Sequence, residues 1–578
     1  MNSLISSRKW SLSHPNQDVV ERVQNQLNCS KPFARLLASR FGEEYPLVFR
    51  DSSSSLHDPH KLKGLSQAVD RIQDALDKGE RIFIHGDFDV DGLCSAAILY
   101  LTLTEIACRE EVSVKVELGD RGSGHGLDPS NSARIIDEDF QLLITTDCGV
   151  KATKEIEHLQ KHGVDVIVTD HHTPGNDLPP ATAIVNPKRS DSTYPNRNLA
   201  GSGVSYKLAS ALKNSSPDKP GTDGALIQLA ALGTVGDMVP LISGSEDENR
   251  RMVQMGLTAL NRSPTVGLDA LIERLGLKKK ALTARTISFQ IAPKLNAANR
   301  VGDPKVGFLL LTTRQAARAK YLAEVLVDYN EDRSDLQQRT TKEAKQKLED
   351  RKITPQEEGV VFIKDEEWNP GIIGLTASKL ANQYSLPACV LTRDGPRYKG
   401  SVRSVQGLNI IKGLTRCSDY LTRFGGHEMA GGFQLEPHQV GQFRECIGQW
   451  SSQILKDREK SEPQAAKKQI DAIINPHEIE ERLLDEVNQL RPFGPGNPPP
   501  IFLLEEAPVS NLRKVGKRKN HLKMDLELET ETFDCIGFNM AGALEQIKER
   551  ERYNLVFQLE EDSWNDTCLQ LKLEDLVL

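Results

Sequence analysis

Nine cysteines without a CxxC pair, no apolar run of membrane-spanning length and no excess of positive charge are the first features of this chain. Each absence excludes something. Scattered cysteines fit neither a zinc ribbon nor a disulfide framework, so reduced thiols are expected. No stretch approaches the ~18 apolar residues of a membrane helix, and the opening MNSLISSRKWSLSHPNQ lacks the apolar core of a secretory signal, so no membrane association and a cytoplasmic location are expected. The formal net charge of −8 argues against a basic coat for nucleic acid. A polyanion partner would have to be met locally, in a groove.

With 578 residues, 38% hydrophobic and 27% charged, the chain reads as a soluble globular protein. That length predicts roughly three to five domains. Residues 1–60 are polar, include DSSSS at 51–55, and read as an N-terminal extension. A first domain over 61–255 alternates strands and helices. Its strand candidates are RIFIH from Arg81, SVKVEL from Ser113, QLLITTD from Gln141, VDVIVTD from Val164 and TAIVNP from Thr182. This alternation predicts an α/β fold with a mostly parallel sheet. Residues 256–352 lose strand character, and the stretch after Thr312, free of proline and glycine, predicts a long connecting helix. A second α/β unit follows over 353–458. The charged segment 456–469 reads as a linker, and short alternating runs over 466–578 predict a small β-barrel.

Chemistry concentrates at three predicted strand ends: HGDFDVDG at His85 to Gly92, TTDCG at Thr145 to Gly149, and VTDHH at Val168 to His172. In open parallel sheets, ligands bind at the carboxyl ends of strands, so the clusters predict one shared site. Carboxylates crowded together repel unless a cation compensates them, and oxygen-rich sites with some imidazole suit Mn²⁺ or Mg²⁺. A solvated acidic turn explains DxDxDG alone; Asp147 and the pair His171 and His172 weigh against it. Asp237 in GDMVP fits equally a ligand and a helix-end residue. Cys148 is expected to fill the turn before Gly149 rather than act as a nucleophile, because metal-activated water needs no thiol.

These clusters resemble the DHH phosphoesterase superfamily, which shares DFDVDG, TTDCG, VTDHH and GDMVP. The resemblance implies hydrolysis of a phosphodiester, with two Mn²⁺ or Mg²⁺ ions activating a water for in-line attack. It makes Asp89, Asp91, Asp147, His171 and Asp237 metal ligands, with His85 and Asp87 at or just behind the metals. It also makes Asp147 the bridging carboxylate and His172 the catalytic residue near the leaving group. Further segments are similar to the RecJ family of single-strand-specific exonucleases: RGSGHGL, NLAGSGVSYKL, FQIAPKLNAANR, EWNPGIIGLTASKL, KGSVRS, RFGGHEMAGG and LRPFGPGNPPPIF. They imply a parallel-sheet DHH catalytic domain, a helical connector, a DHH-associated domain and a C-terminal OB-fold. They imply degradation of single-stranded DNA from the 5′ end in recombination and repair. Arg121, Arg300, Ser401, Arg403, Gly425, Gly426 and His427 would then contact the DNA backbone or its terminal phosphate.

Ser401, Arg403 and Ser404 are expected in a turn where hydroxyls and a guanidinium fork bind phosphate. Gly425 to His427 are likewise expected in a turn, where the glycines of RFGGHEMAGG would let backbone N–H groups approach an oxyanion. In the barrel, NLRKVGKRKNHLK gathers Arg513, Lys514, Lys517, Arg518, Lys519 and Lys523, a solvated loop or a nucleic-acid patch. The family resemblance also implies a RecQ-type helicase and a single-strand binding protein as partners, and a monomer is expected. Four positions depart from the family pattern: Asn369 for histidine, Asn299 for glycine, Lys294 for arginine and His125 for tyrosine. They bear on substrate affinity, because every metal-site position is present. Two other readings are open. One is a superfamily enzyme for cyclic dinucleotides or short oligonucleotides, and the other is a non-catalytic DNA-binding DHH scaffold.

Overall fold

The structure is a computed structural model that describes residues 10–49, 56–107, 112–119, 126–214, 223–351, 353–460, 468–516, 518–528, 532–548, 551–561 and 569–577. The chain divides into two compact units. One contains residues 57–239 and 255–463; the other contains 1–56, 240–254 and 464–578. Among the described residues no helix is long and apolar enough to cross a membrane.

The first unit opens with a five-stranded parallel sheet. Its order is Val114–Leu118, Ile82–Gly86, Leu142–Thr146, Asp165–Thr169, Ala183–Val185, so each predicted strand is present. Alternate residues of a strand face opposite sides. Phe83, Leu143, Val166 and Val168 cluster with Ile135, Ile156 and Leu159 of two helices, while the intervening Ile82, Ile84, Leu142 and Ile144 are equally buried. Both faces are therefore covered, which is why these strands read as continuous apolar runs. The helix Val90–Ile106 leaves the first strand directly after the acidic loop.

Helices fill the connector, including the 34-residue Ala316–Glu349. A second five-stranded sheet follows, ordered Arg423–His427, Ala430–Leu435, Arg397–Arg403, Ala388–Asp394, Val361–Lys364. Two expectations change here. Ser401 and Arg403 lie in a strand, not a turn, with Ser401 opposite Gly432 and Arg403 opposite Ala430. Gly425, Gly426 and His427 likewise form a strand, Gly425 facing Gly432 and Gly426 facing Gly431. Glycine-rich sequence carries no strand signal of its own, so cross-strand pairing decides. At Gly426 φ is 142°, and a Cβ would overlap the Ala430 carbonyl.

Cys417 and Cys446 are bonded to each other, with Cα atoms 6.1 Å apart, against the expectation of thiols throughout. Their separation of 29 residues is closed by packing of the helix Val440–Lys460 on its own sheet. That helix also takes in Lys456 to Lys460, the start of the expected linker; residues 461–467 lie outside the described residues.

In the other unit, Phe502–Val515, His521–Glu527, Thr532–Gly537, Gln570–Val577 and Arg552–Glu560 pair in sequence, and the last pairs back with the first. Residues 10–49, read from the sequence as part of an extension, carry a strand and two α-helices. Trp10–Leu12 pairs in parallel with Lys468–Ile470, and the Trp10 indole donates to the buried Asp575 at 2.8 Å. Val20, Phe33, Leu36 and Leu37 of helices Gln17–Leu27 and Lys31–Phe41 share a core with Phe502, Leu504 and Phe557. Residues 240–254, expected at the end of the first domain, belong to this unit. The buried Arg250 donates to the carbonyls of Gln489 at 2.9 Å and Leu490 at 3.3 Å. DSSSS at 51–55 lies outside the described residues.

Candidate metal centre

The three clusters converge. Asp87, Asp147 and Asp170 each follow the last residue of a parallel strand, and each backbone N–H donates to the neighbouring chain: Asp87 to Thr146 at 3.2 Å, Asp147 to Thr169 at 2.9 Å, Asp170 to Val185 at 3.1 Å. The ladder thus runs one residue past the strands and sets the loops side by side. Asp147 has φ +60°, a left-handed conformation costing a non-glycine residue about 1 kcal/mol or more. Its carboxylate is aimed at the cluster.

Three overlapping groups have ligand atoms within 4.8 Å of one another: Asp87, Asp89 and Asp147; Asp91, His171 and Asp237; Asp147, His171 and His172. His171 Nε2 lies 3.1 Å from Asp147, 3.6 Å from Asp237 and 3.9 Å from Asp91. Asp237, ambiguous in the sequence, is therefore brought to the site. His85 falls outside these groups; its ring is fully buried in the strand, and Glu117 stands opposite it.

Electrostatics bear on whether cations fit. Burial, then the charges of Asp91, Asp89, Asp87 and Asp237, hold the Asp147 carboxyl far above its ordinary range. Burial, then Asp87 and Asp91, push Asp89 up to about 6; burial, then Asp91 and Asp89, push Asp237 up to about 8. Burial lowers His171 to about 4. Asp147 Oδ1 is buried and forms no hydrogen bond, although His171 Nε2 lies 3.1 Å from it. A fully buried carboxylate oxygen without a hydrogen bond, among like charges, requires a proton or a cation. The oxygen and imidazole donor set fits Mn²⁺ or Mg²⁺.

His172 differs from its neighbour. Burial disfavours its charge, but the hydrogen bond and charge of Asp170 outweigh this and raise it to about 9. Its Nδ1 is 2.8 Å from Asp170 Oδ1. Burial works against the Asp170 charge too, but the bonds from His172 and Val150 lower Asp170 to about 2. Val150, His171 and His172 all donate backbone N–H groups to it. Asp170 thus orients His172. The thiol of Cys148 is buried and pushed far above its ordinary range by that burial, which excludes it as a ready nucleophile.

The second sheet reaches the same place. The rings of His172 and His427 stack with centroids 6.2 Å apart and planes at 20°. Arg403, paired with Ala430 of that hairpin, is half-buried, and its guanidinium makes no hydrogen bond or ion pair with the described residues. Burial lowers its pKa without a carboxylate to oppose it. Ser401 Oγ sits where a Cβ on Gly374, in the first turn of helix Ile373–Tyr384, would come to 3.0 Å. Arg300 Nη1 donates to the Gly371 carbonyl at 2.9 Å. Arg121, His125 and Lys517 lie outside the described residues.

Several contributors are absent from the sequence-derived site. Both oxygens of Asp91 accept backbone N–H groups at the start of helix Gly201–Asn214, from Gly201 at 2.6 Å and Ser202 at 2.9 Å. That helix end favours the carboxylate charge. Gly201 packs against Asp147, and a Cβ on Gly233 would overlap Asp91 and Ser202, so both glycines make room for the clustered carboxylates. The signal was NLAGSG, a motif with a family match but no titratable group. Asn299 Nδ2 donates to the Phe88 carbonyl at 2.5 Å, and Asn296 Oδ1 accepts from Val90 N–H at 3.2 Å. Asn299 therefore braces the acidic loop. Lys188 is half-buried within the field of Asp237, Asp170 and Asp147. Its N–H bonds to Asn186 Oδ1 at 2.8 Å while Asn186 Nδ2 donates to the His172 carbonyl at 2.9 Å.

Residues 81–234 match the DHH family, N-terminal domain; 357–453 match the DHHA1 domain; 470–575 match the RecJ OB domain. The chain is 34% identical over 568 residues to the single-stranded-DNA-specific exonuclease RecJ of Bacillus subtilis, covering 97% of this chain and 70% of that protein. Two crystal structures of RecJ from Thermus thermophilus are similar across 99% of this chain. The Mn²⁺ complex has TM-score 0.81 at 27% identity, covering 79% of that chain, and the Mg²⁺ complex 0.75 at 26%, covering 78%. With identity at this level across nearly the whole length, and the three domains in that order, the chain belongs to the RecJ family of single-stranded-DNA-specific exonucleases.

Proposed function

We propose that this chain removes nucleotides from the 5′ end of single-stranded DNA in the cytoplasm, as a monomer, during recombination and repair. The observation that carries the hydrolytic part is the convergence of Asp87, Asp89, Asp91, Asp147, His171 and Asp237 on one buried, anionic site beside His172. Asp89, Asp91, Asp147, His171 and Asp237 would hold two Mn²⁺ or Mg²⁺ ions, with Asp147 between them and Asp87 and His85 behind. Two such ions supply a nucleophile from water at neutral pH and stabilise the leaving oxygen. His172, oriented by the contact of its Nδ1 with Asp170, can donate a proton to that oxygen.

Arg403, Ser401, Arg300 and the strand Gly425 to His427 would receive the terminal phosphate, and the half-buried Arg403, whose guanidinium is unpaired among the described residues, supports this most directly. Arg121 is assigned to the same contact by family resemblance. The domains 61–255, 256–352, 353–458 and 466–578 are proposed as catalytic, connecting, phosphate-binding and OB-fold parts. A RecQ-type helicase and a single-strand binding protein are the proposed partners. Mn²⁺ and Mg²⁺ titrations on 5′-phosphorylated single-stranded and duplex DNA, labelled at either end, test the reading. Single-strand-specific release of the 5′ label is expected, with none from Asp147→Ala of unchanged fold. First release of the 3′ label contradicts the polarity, and an active Asp147→Ala contradicts the site.

A further inference from the structure

The edge strand of the parallel sheet, Ala183–Val185, ends beside the metal centre without a carboxylate. Three other strands of that sheet are followed directly by Asp87, Asp147 and Asp170; this one is followed by Asn186. Asn186 is fully buried and brackets two segments. Its Nδ2 donates to the His172 carbonyl at 2.9 Å, while its Oδ1 accepts the Lys188 N–H at 2.8 Å. Pro187, between them, fixes its own φ and has no N–H to satisfy. On the other side, Arg197 Nη2 donates to the Lys188 carbonyl at 3.0 Å and the Arg189 carbonyl at 3.2 Å. Both backbone polar groups of Lys188 are therefore tied down, one of them to the backbone of His172 through a single side chain.

The other two cations of this turn are engaged. Arg189 pairs with Asp191 at 2.8 Å and donates to the Ile184 carbonyl at 2.8 Å, and Arg197 holds the two carbonyls. Lys188 is half-buried, and its ammonium makes no hydrogen bond or ion pair with the described residues. Burial disfavours its charge, and the carboxylates of Asp237, Asp170 and Asp147 favour it from beyond ion-pair distance. The coupling is mutual, because the Lys188 charge bears on both Asp237 and His171. Those carboxylates have other partners. Asp170 is bonded to His172 and to three backbone N–H groups, and Asp147 and Asp237 would be held by metal ions.

A half-buried ammonium without an anion of its own is unfavourable. A phosphodiester arriving at the metal centre brings one. We propose that Lys188 is a further catalytic residue, its ammonium meeting a non-bridging oxygen of the phosphate to be cleaved and offsetting the negative charge that builds there. Lysine presents a compact point charge with three donors, which suits a phosphate oxygen. A donor fixed in place needs no reorganisation as charge develops, and it counts for most where burial excludes water. The inference rests on the hydrolytic reading and adds a cation that neither the metal ligands nor His172 supply.

The test uses the full chain with Lys188→Met, which keeps an unbranched stem and loses the charge, and Lys188→Arg, which restores a charge. On 5′-phosphorylated single strands at saturating Mn²⁺, kcat should fall about 100-fold in Lys188→Met, the usual effect of removing one fixed donor at a developing charge. KM should change little, because Arg403 and its neighbours hold the strand. Lys188→Arg should recover most of the loss. Mn²⁺ affinity, measured by calorimetry without DNA, should be unchanged or tighter in Lys188→Met, because a positive charge has left the field of Asp147 and Asp237. Damage to the fold would move that affinity the other way. Wild-type kcat in Lys188→Met overturns the proposal; joined to tighter Mn²⁺ binding, it makes the lysine a counter-ion of the carboxylates alone. A loss of kcat that follows weakened Mn²⁺ binding and is not recovered in Lys188→Arg also overturns it, and leaves Lys188 a structural part of its turn. A wild-type chain that binds Mn²⁺ and hydrolyses no DNA overturns the exonuclease reading and this contact with it.

Discussion

Replacing Gly201 by alanine should damage the metal centre without touching a titratable group. A Cβ there would stand 2.6 Å from Asp147 Oδ1, 2.7 Å from its Cβ and 2.8 Å from its Cγ, whereas ordinary contact begins near 3.4 Å. The difference, about 0.8 Å, is the shift the methyl demands. Neither side yields easily. Asp147 is held in a left-handed conformation by its bond to Thr169, and the helix start is held by the two N–H groups on Asp91. Whichever moves, a carboxylate of the cluster is displaced by a large part of an ångström. Misplacement of about 1 Å costs roughly 100-fold in rate. That is about 2.7 kcal/mol of transition-state stabilisation. Overpacking should also lower stability by about 1–3 kcal/mol. Gly441→Ala, with nothing within 4 Å of its added methyl, is the control. Nucleotide release at saturating Mn²⁺, Mn²⁺ affinity and thermal unfolding should be measured together. Wild-type kcat and Mn²⁺ affinity in Gly201→Ala would refute the claim that this glycine makes room for Asp147.

The raised carboxylates also make metal-free stability fall with pH. Asp89 at about 6 and Asp237 at about 8 hold protons in the folded chain that the unfolded chain releases near 3.8, so unfolding is favoured as pH climbs from the ordinary carboxylate range through about 8. In EDTA the melting temperature should drop over that interval, and Mn²⁺ should restore more of it at the alkaline end, with tighter binding there because protons must leave first. A flat metal-free profile would count against the buried cluster. Arg403→Lys keeps the charge but loses the planar fork, so KM for 5′-phosphorylated strands should rise about tenfold while 5′-hydroxyl strands are unaffected. Equal effects on both substrates would remove Arg403 from the phosphate contact.

The parallel strands, the acidic and imidazole residues at their ends and the long helix Ala316–Glu349 are legible in the chain alone, because each is written in local periodicity and adjacency. Which neighbours complete the candidate site depends on packing between distant segments. Asp237 read equally as a helix end until His171 stood 3.6 Å away. Gly201 and Asn299 carry no charge, and their roles exist only because chain segments distant in sequence close on Asp147 and Phe88. Ser401, Arg403 and Gly425 to His427 looked like turns because glycine and serine are poor strand formers, yet partners supplied by the same sheet pair them as strands. Asp89 lies between these cases: adjacency marked it as a ligand, while the fold also makes its Oδ1 the cap of helix Val90–Ile106. A strand end is a local event that the chain announces in its own order. A neighbour across space is not, because it depends on where the rest of the backbone has packed.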